Sequence, residues 1–152
     1  MPYVLLGVLE EKRGNWQKAQ GLYEKALQVQ PDHPLAANNL AYLLLQHGGN
    51  VDVAITYAQT ARRGLPDSPS SADTLGWAYY QKGSYGQAVQ LFEEATKKVP
   101  ENPNYHYHLA LAYQKSHDRD NAREHFERVL KIDPKFAQAQ DIRYALAQMA
   151  LE

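Results

Sequence analysis

Cysteine is absent from the 152 residues, which removes disulfides, thiolate metal ligands and a cysteine nucleophile together. That absence names no compartment. An excess of one charge is missing too: sixteen Lys plus Arg face seventeen Asp plus Glu, a formal net charge of −1. Nothing is therefore spare to neutralise a phosphate backbone, and nucleic acid is not the expected partner. The longest apolar stretches, 4–9 and 40–45, fall far short of the roughly 20 residues that span a bilayer, so this segment is not expected to insert in a membrane. There is no Gly-rich phosphate loop ending in Lys-Ser or Lys-Thr, and no Gly-x-Ser-x-Gly turn.

The remaining chemistry is equally thin. His106 and His108 stand two apart on a predicted helix and so point to different sides, whereas ligands sharing one metal usually stand three or four apart. These two, with His117 and His125, read as ordinary, partly exposed histidines. Asp118 and Asp120 lack the glycine and terminal glutamate of a calcium loop. Paired carboxylates such as Glu10-Glu11 and Glu93-Glu94 fall on amphipathic stretches and read as solvated faces. No cofactor, no metal and no catalytic residue is expected, and the chain is not read as an enzyme.

What the chain does have is a beat. Prolines at 31, 66, 100 and 134 fall 35, 34 and 34 residues apart, and a second proline follows three residues after each of the first three, at Pro34, Pro69 and Pro103. A period in this range marks stacked helical repeats. Each unit carries two apolar stripes at three-to-four spacing, separated by a short turn that usually holds glycine, the pattern of a helical hairpin. Small residues at Gly7, Ala41, Gly76 and Ala110, and at Ala19, Ala54, Ala88 and Ala122, let the two helix axes approach. Tyr23, Phe92 and Phe126 fill the space between hairpins, and stacking supplies a core that one hairpin lacks.

Helix starts are predicted at His33-Pro34, Ser68-Pro69 and Asn102-Pro103. There a polar side chain accepts an orphan amide and proline fits the first turn; the His33 cap is the weaker one. Gly14, Gly48, Gly49 and Gly83 mark turns expected to need positive φ. In the fourth unit that slot is His117, which predicts strain or a different turn shape.

Aligned on the prolines, the third unit reads Leu75, Gly76, Tyr79, Gly83, Tyr85, Ala88, Phe92, Ala95, Pro100. The first reads Tyr3, Leu6, Gly7, Gly14, Trp16, Ala19, Tyr23, Ala26, Leu27, Pro31. The fourth gives Leu109, Ala110, Tyr113, Ala122, Phe126, Leu130, Pro134, and the second Leu40, Ala41, Ala54, Ala58, Ala61, Pro66. These residues resemble the tetratricopeptide repeat, a 34-residue helical hairpin. The resemblance implies an all-α, right-handed superhelix in one array. Its expected parts are 1–33, 34–68, 69–102 and 103–135, followed by a capping helix over 136–152. In that last helix Phe136, Ile142, Tyr144, Leu146 and Met149 supply apolar contacts, and Gln138, Gln140, Asp141, Arg143 and Gln148 a wet face. At the other end Val4, Leu5 and Val8 are expected to face missing upstream repeats, so that this end self-associates or frays.

The resemblance further implies a concave groove lined by the first helix of each unit. One ladder of slots holds Val8, Tyr42, Trp77 and Leu111; four residues earlier stand Val4, Asn38, Asp73 and Tyr107; later slots hold Leu45 and Gln46, Tyr80 and Gln81, Gln114 and Lys115. The candidate binding residues are Asn38, Tyr42, Gln46, Asp73, Trp77, Tyr80, Gln81, Tyr107, His108 and Leu111. Trp77 leads because rigid aromatics dominate binding hot spots. Asn38, Asp73, Gln81 and His108 would orient a ligand's backbone or a cationic side chain.

The expected function is a non-enzymatic scaffold that holds a peptide or partner helix. The alternatives are a spacer or self-association segment, or a small-molecule or glycan binder. Arrays that grip acidic chaperone tails carry Lys, Asn and Arg at set slots. Here those slots hold Val4, Val8, Asn39, Ser70 and Thr74, or, one unit on, Asn38, Tyr42, Thr74, Asn104 and His108, so that use is not expected. The stretches 38–44 and 73–80 look like segments of bacterial repeat proteins tied to envelope export and exopolysaccharide assembly.

Overall fold

The computed structural model describes residues 2–152. Among the described residues the regular elements are nine helices: α1 (Tyr3–Lys12), α2 (Trp16–Val29), α3 (Pro34–Gln46), α4 (Val51–Gly64), α5 (Pro69–Lys82), α6 (Tyr85–Lys98), α7 (Pro103–Lys115), α8 (Arg119–Ile132) and α9 (Ala139–Ala150). None is long and apolar enough to cross a membrane.

Local chemistry sets the boundaries. His33, Ser68 and Asn102 each accept a backbone amide with the side chain, and proline follows as the first helical residue. His33 Nδ1 accepts from Ala36 at 3.3 Å, whereas Asn102 Oδ1 accepts from Asn104 at 2.9 Å and Tyr105 at 3.3 Å, so the histidine is the weaker cap. The hairpin turns share one closure. The amides of Asn15, Gly49, Ser84 and Asp118 donate to the carbonyls of Glu10, Leu44, Tyr79 and Tyr113 at 2.8–2.9 Å. This is the six-to-one bond of a Schellman turn, whose preceding residue is left-handed. That residue is Gly14, Gly48, Gly83 or His117, with φ of 82°, 72°, 90° and 62°. Gly49 does not share the conformation expected of it; it lies in the bond-closing slot against Leu44.

Close approach within hairpins follows from the small residues. Ala19, Ala41, Ala54, Ala88, Ala110 and Ala122 are wholly buried, as are Tyr23, Phe92 and Phe126 to within 1%. A β-carbon on Gly76 would sit 2.7 Å from the Phe92 ring, and one on Gly7 would strike Tyr23. The second unit has Ala58 where the others place an aromatic, and Leu75 with Tyr57, Tyr79 and Leu91 fills that layer.

Contact runs along the whole array, each hairpin packing on the next. First helices also touch across units, α3 on α5 and α5 on α7, with no comparable contact between α2 and α4, α4 and α6, or α6 and α8. The first helices therefore form the inner side of a curved solenoid. Ion pairs also cross units, Arg62–Glu94 at 2.5 Å between half-buried side chains and Arg128–Glu101 at 2.6 Å; the second, with its carboxylate exposed, contributes little, typically about 0–1 kcal/mol.

The ends differ from expectation in detail. Helix α9 begins at Ala139, not 136, because a turn holding Phe136 comes first. Phe136, Ile142 and Met149 cover the fourth unit, while Tyr144, expected among the apolar contacts, is 69% exposed on the outer face. At the other end Val4 and Val8 pack against the first core cluster. The open apolar residues are Leu5, Leu6 and Leu9, which lie on the opposite side of α1.

Candidate functional site

The inner face divides into two adjoining parts. The first is a cavity of about 260 Å³ lined by Glu11 of α1, Asn38, Asn39 and Tyr42 of α3, Ser70, Asp73 and Thr74 of α5, and Asn102, Asn104 and Tyr105 at the start of α7. Residues three and four apart share a helix face, so 38, 39 and 42, like 70, 73 and 74, reach one hollow. No lysine or arginine lines it. Burial raises the Tyr42 hydroxyl above its usual range, with the Asp73 charge adding to the shift. Tyr105 is raised by burial and then by Asp73 and Tyr42. Both phenols hold their protons more tightly than a free tyrosine.

The second part is a run of rings. Tyr80 stacks on Trp77 with centroids 4.9 Å apart, and Trp77 stacks on His108 at 4.2 Å. Tyr107 lies 6.2 Å from His108 and 5.4 Å from Phe136. The His108 ring is fixed because its Nδ1 meets Asp73 Oδ1 at 2.8 Å, both side chains being 7% exposed. Asp73 thus joins the two parts, reaching the cavity on one side and aligning the ring run on the other.

Of the ten candidates, Asn38, Tyr42 and Asp73 line the cavity, while Trp77, Tyr80, Tyr107 and His108 form the ring run. Asn38, Asp73 and His108 are buried and Trp77, Tyr80 and Tyr107 half-buried, the indole having one part in the packing and one open. Gln46 is exposed beside Tyr42. Gln81 is also exposed and donates to the Leu45 carbonyl at 3.3 Å. Leu111 belongs to the packing beneath α9. Asn38 donates from Nδ2 to Ser70 Oγ at 3.3 Å, and its Oδ1 has no hydrogen-bond partner among the described residues.

The sequence reads Glu11 as part of a solvated face and Asn102 as a helix cap, passes over Tyr105, and offers Asn39, Ser70, Thr74 and Asn104 only as slots for another ligand class; all seven line the cavity. The available signal was the three-residue step from Val8 to Glu11 along the same ladder. The histidines also differ from expectation: His106 and His108 are both 6% exposed. They do point apart. His106 Nε2 lies 2.7 Å from the Pro100 carbonyl and its Nδ1 lies 2.9 Å from Nδ1 of His125. A carbonyl only accepts, so Nε2 carries the His106 proton, and His125 Nδ1–H donates to the bare His106 Nδ1. Burial lowers the proton affinity of both rings, and for His125 the neighbouring His106 adds to it. Among the described residues no group of three or more His, Asp or Glu is placed to hold a metal ion.

A curved stack of helical hairpins with an aromatic and polar inner face defines a helical-repeat solenoid. Three family models, described as TPR repeat or tetratricopeptide repeat, match residues 76–116, 4–69 and 103–136. The chain is a member of the tetratricopeptide-repeat family. The general transcriptional corepressor ssn6 of Schizosaccharomyces pombe is 26% identical over 142 residues, covering 92% of this chain and 13% of that protein. The heat-shock protein cognate co-chaperone sgt12 of Aspergillus fumigatus is 32% identical over 85 residues, 55% of this chain and 25% of its own. The human NatB auxiliary subunit N-alpha-acetyltransferase 25 is 31% identical over 91 residues, 60% of this chain and 9% of its own. This chain therefore spans no more than a quarter of these relatives.

Among solved structures, a thermophilic TPR protein of Thermus thermophilus superposes with a TM-score of 0.75 at 26% identity, covering 98% of this chain and 80% of that one. MamA of Desulfovibrio magneticus superposes at 0.74 and 23% identity, covering 89% and 76%, a likeness of fold. These names give no support to the association with envelope export or exopolysaccharide assembly. Proteins of this repeat generally act by contacting other proteins.

Proposed function

We propose that the inner face is a groove for an extended peptide or a partner's helix, and that the chain works without catalysing a reaction. The observation that carries this reading is the ring run beside a polar cavity, in which half-buried Tyr80, Trp77 and Tyr107 flank the buried His108 ring. Hairpin packing does not demand a large aromatic at the Trp77 slot, since two of its three matching slots hold Val8 and Leu111, and the third holds Tyr42, which lines the adjoining cavity. A half-buried indole backed by a fixed imidazole offers a flat area at small entropy cost, the property that makes Trp and Tyr binding hot spots. The test is peptide display on the intact chain, followed by titration of selected peptides in a Trp16→Phe background so that emission reports Trp77 alone. Trp77→Ala is expected to weaken binding at least tenfold; unchanged affinity in both Trp77→Ala and Asp73→Ala would overturn the groove.

A second reading, self-association through α1, is favoured by Leu5 at 64%, Leu6 at 42% and Leu9 at 41% exposure. Sedimentation that depends on concentration and is abolished by Leu5→Glu supports it, and a monomer at all concentrations removes it.

A further inference from the structure

The cavity beside the ring run has a chemistry of its own. At about 260 Å³ it holds roughly nine waters' worth of space, below the ~300–1,000 Å³ of pockets that enclose drug-sized ligands, and this suits one long side chain. Its charged lining is all of one sign, Glu11 and Asp73, with no lysine or arginine to balance them. Glu11 accepts from the Tyr23 hydroxyl, and Asp73 gives Oδ1 to His108, which leaves Oδ2 for an incoming donor.

Independently of charge, Asn38 is 8% exposed and lacks a partner for one end of its amide. Ser70 satisfies only the other end. A buried acceptor left unmatched is rare in folded proteins and calls for an occupant. Oδ1 is shielded as the side chain stands, and the broad terminal torsion of an asparagine lets it turn onto a donor entering the hollow in exchange for the 3.3 Å bond from Nδ2 to Ser70. The rings of Tyr42 and Tyr105 supply half-buried aromatic surface in the same cavity.

We propose that this cavity is a subsite for an arginine side chain of the bound segment, with the guanidinium donating to Asn38 Oδ1 and Asp73 Oδ2 and lying against Tyr42 and Tyr105. The inference rests on the groove reading and adds the chemistry of the occupant. Arginine fits better than lysine because its planar fork carries five donors and stacks on aromatic faces, whereas an ammonium is a strongly hydrated point charge.

The experiment uses the full chain, labelled with nitrogen-15, and the probe Nα-acetyl-arginine N-methylamide, with the citrulline, lysine and glutamate counterparts alongside. Arginine is expected to shift the side-chain amide signals of Asn38 and Asn39. Citrulline, which has the same shape without the charge, is expected to bind at least tenfold more weakly, and glutamate not at all. Asp73→Asn is expected to lose at least tenfold. Because Asp73 also fixes His108, Tyr105→Ala provides a second variant that leaves the charge in place, with an expected loss of at least threefold. Citrulline equal to arginine, arginine binding unaltered in both variants, or shifts spread over surface carboxylates with none at Asn38 would each overturn the subsite. Peptides that bind through Trp77 with no preference for arginine sink this inference alone. Arginine binding here with no extended peptide captured sinks the groove alone.

Discussion

The left-handed residue of each hairpin turn gives a test of backbone conformation isolated from packing. His117 holds φ at 62° where the other three turns use glycine. An L-residue in that region costs about 1–2 kcal/mol, and glycine returns roughly 0.5–1 kcal/mol of that through its freer unfolded chain. His117→Gly is therefore expected to stabilise by about 0.5–1 kcal/mol. The mirror change is Gly83→Ala: φ is 90° and a β-carbon there would meet nothing within 4 Å, so strain acts without a clash. A loss of about 1 kcal/mol is expected. In a chain of this size each kcal/mol moves Tm by roughly 2–4 °C. Urea denaturation followed by circular dichroism at 222 nm measures both, with hydrogen exchange of α7 and α8 localising the first. A His117→Gly variant no more stable than the parent at an unchanged denaturant slope, or a neutral Gly83→Ala, would refute the argument.

The His106–His125 contact predicts acid sensitivity. Both rings resist protonation when folded, so below about pH 6.5 the unfolded chain binds protons that the folded chain refuses. Stability is full above that value and falls as pH drops toward the lowered folded-state values, with Glu101, Glu124 and Arg128 as the charged neighbours that set how far. Melting temperature between pH 7.5 and 5 measures the drop, and His125→Gln is expected to flatten it. Phe92→Ala, at a wholly buried ring, is expected to cost about 3–5 kcal/mol in urea unfolding, more than any cap. Asn102→Ala removes two amide bonds at a helix start and is expected to cost about 1 kcal/mol, whereas Ser84→Ala, at a start with no side-chain cap bond, is expected to be neutral in the same assay.

The fold was readable because its signals are local. Proline after a capping residue, glycine at a left-handed turn and alanine at a close crossing each act within a few residues, and the array states each of the first two three times and the last in every unit. The odd residue at 117 was readable for the same reason. Periodicity says less about which neighbour a face meets. It grouped Leu5 with Val4 and Val8 as open, although the valines pack inward and Leu5, Leu6 and Leu9 remain outside. It also counted Tyr144 as a packing residue. The site depends on partners far apart in the chain: Asp73 meets His108 across 35 positions and His106 meets His125 across 19. Neither pairing leaves a mark on one helix. Glu11 and Tyr105 escaped because the groove ladder was followed along one narrow line of each helix, while the cavity draws on a wider arc.

That first helices touch across units while second helices stay apart has a mechanical consequence. The array behaves as a coil whose inner turns are nearly closed and whose outer turns have room to fan. Bending is then resisted on one side only, and a guest in the proposed groove across α3, α5 and α7 would act as a wedge against tightening. The Asp73–His108 bond is a rung between two of those turns, so the carboxylate proposed to meet a guest also ties the pitch of the coil.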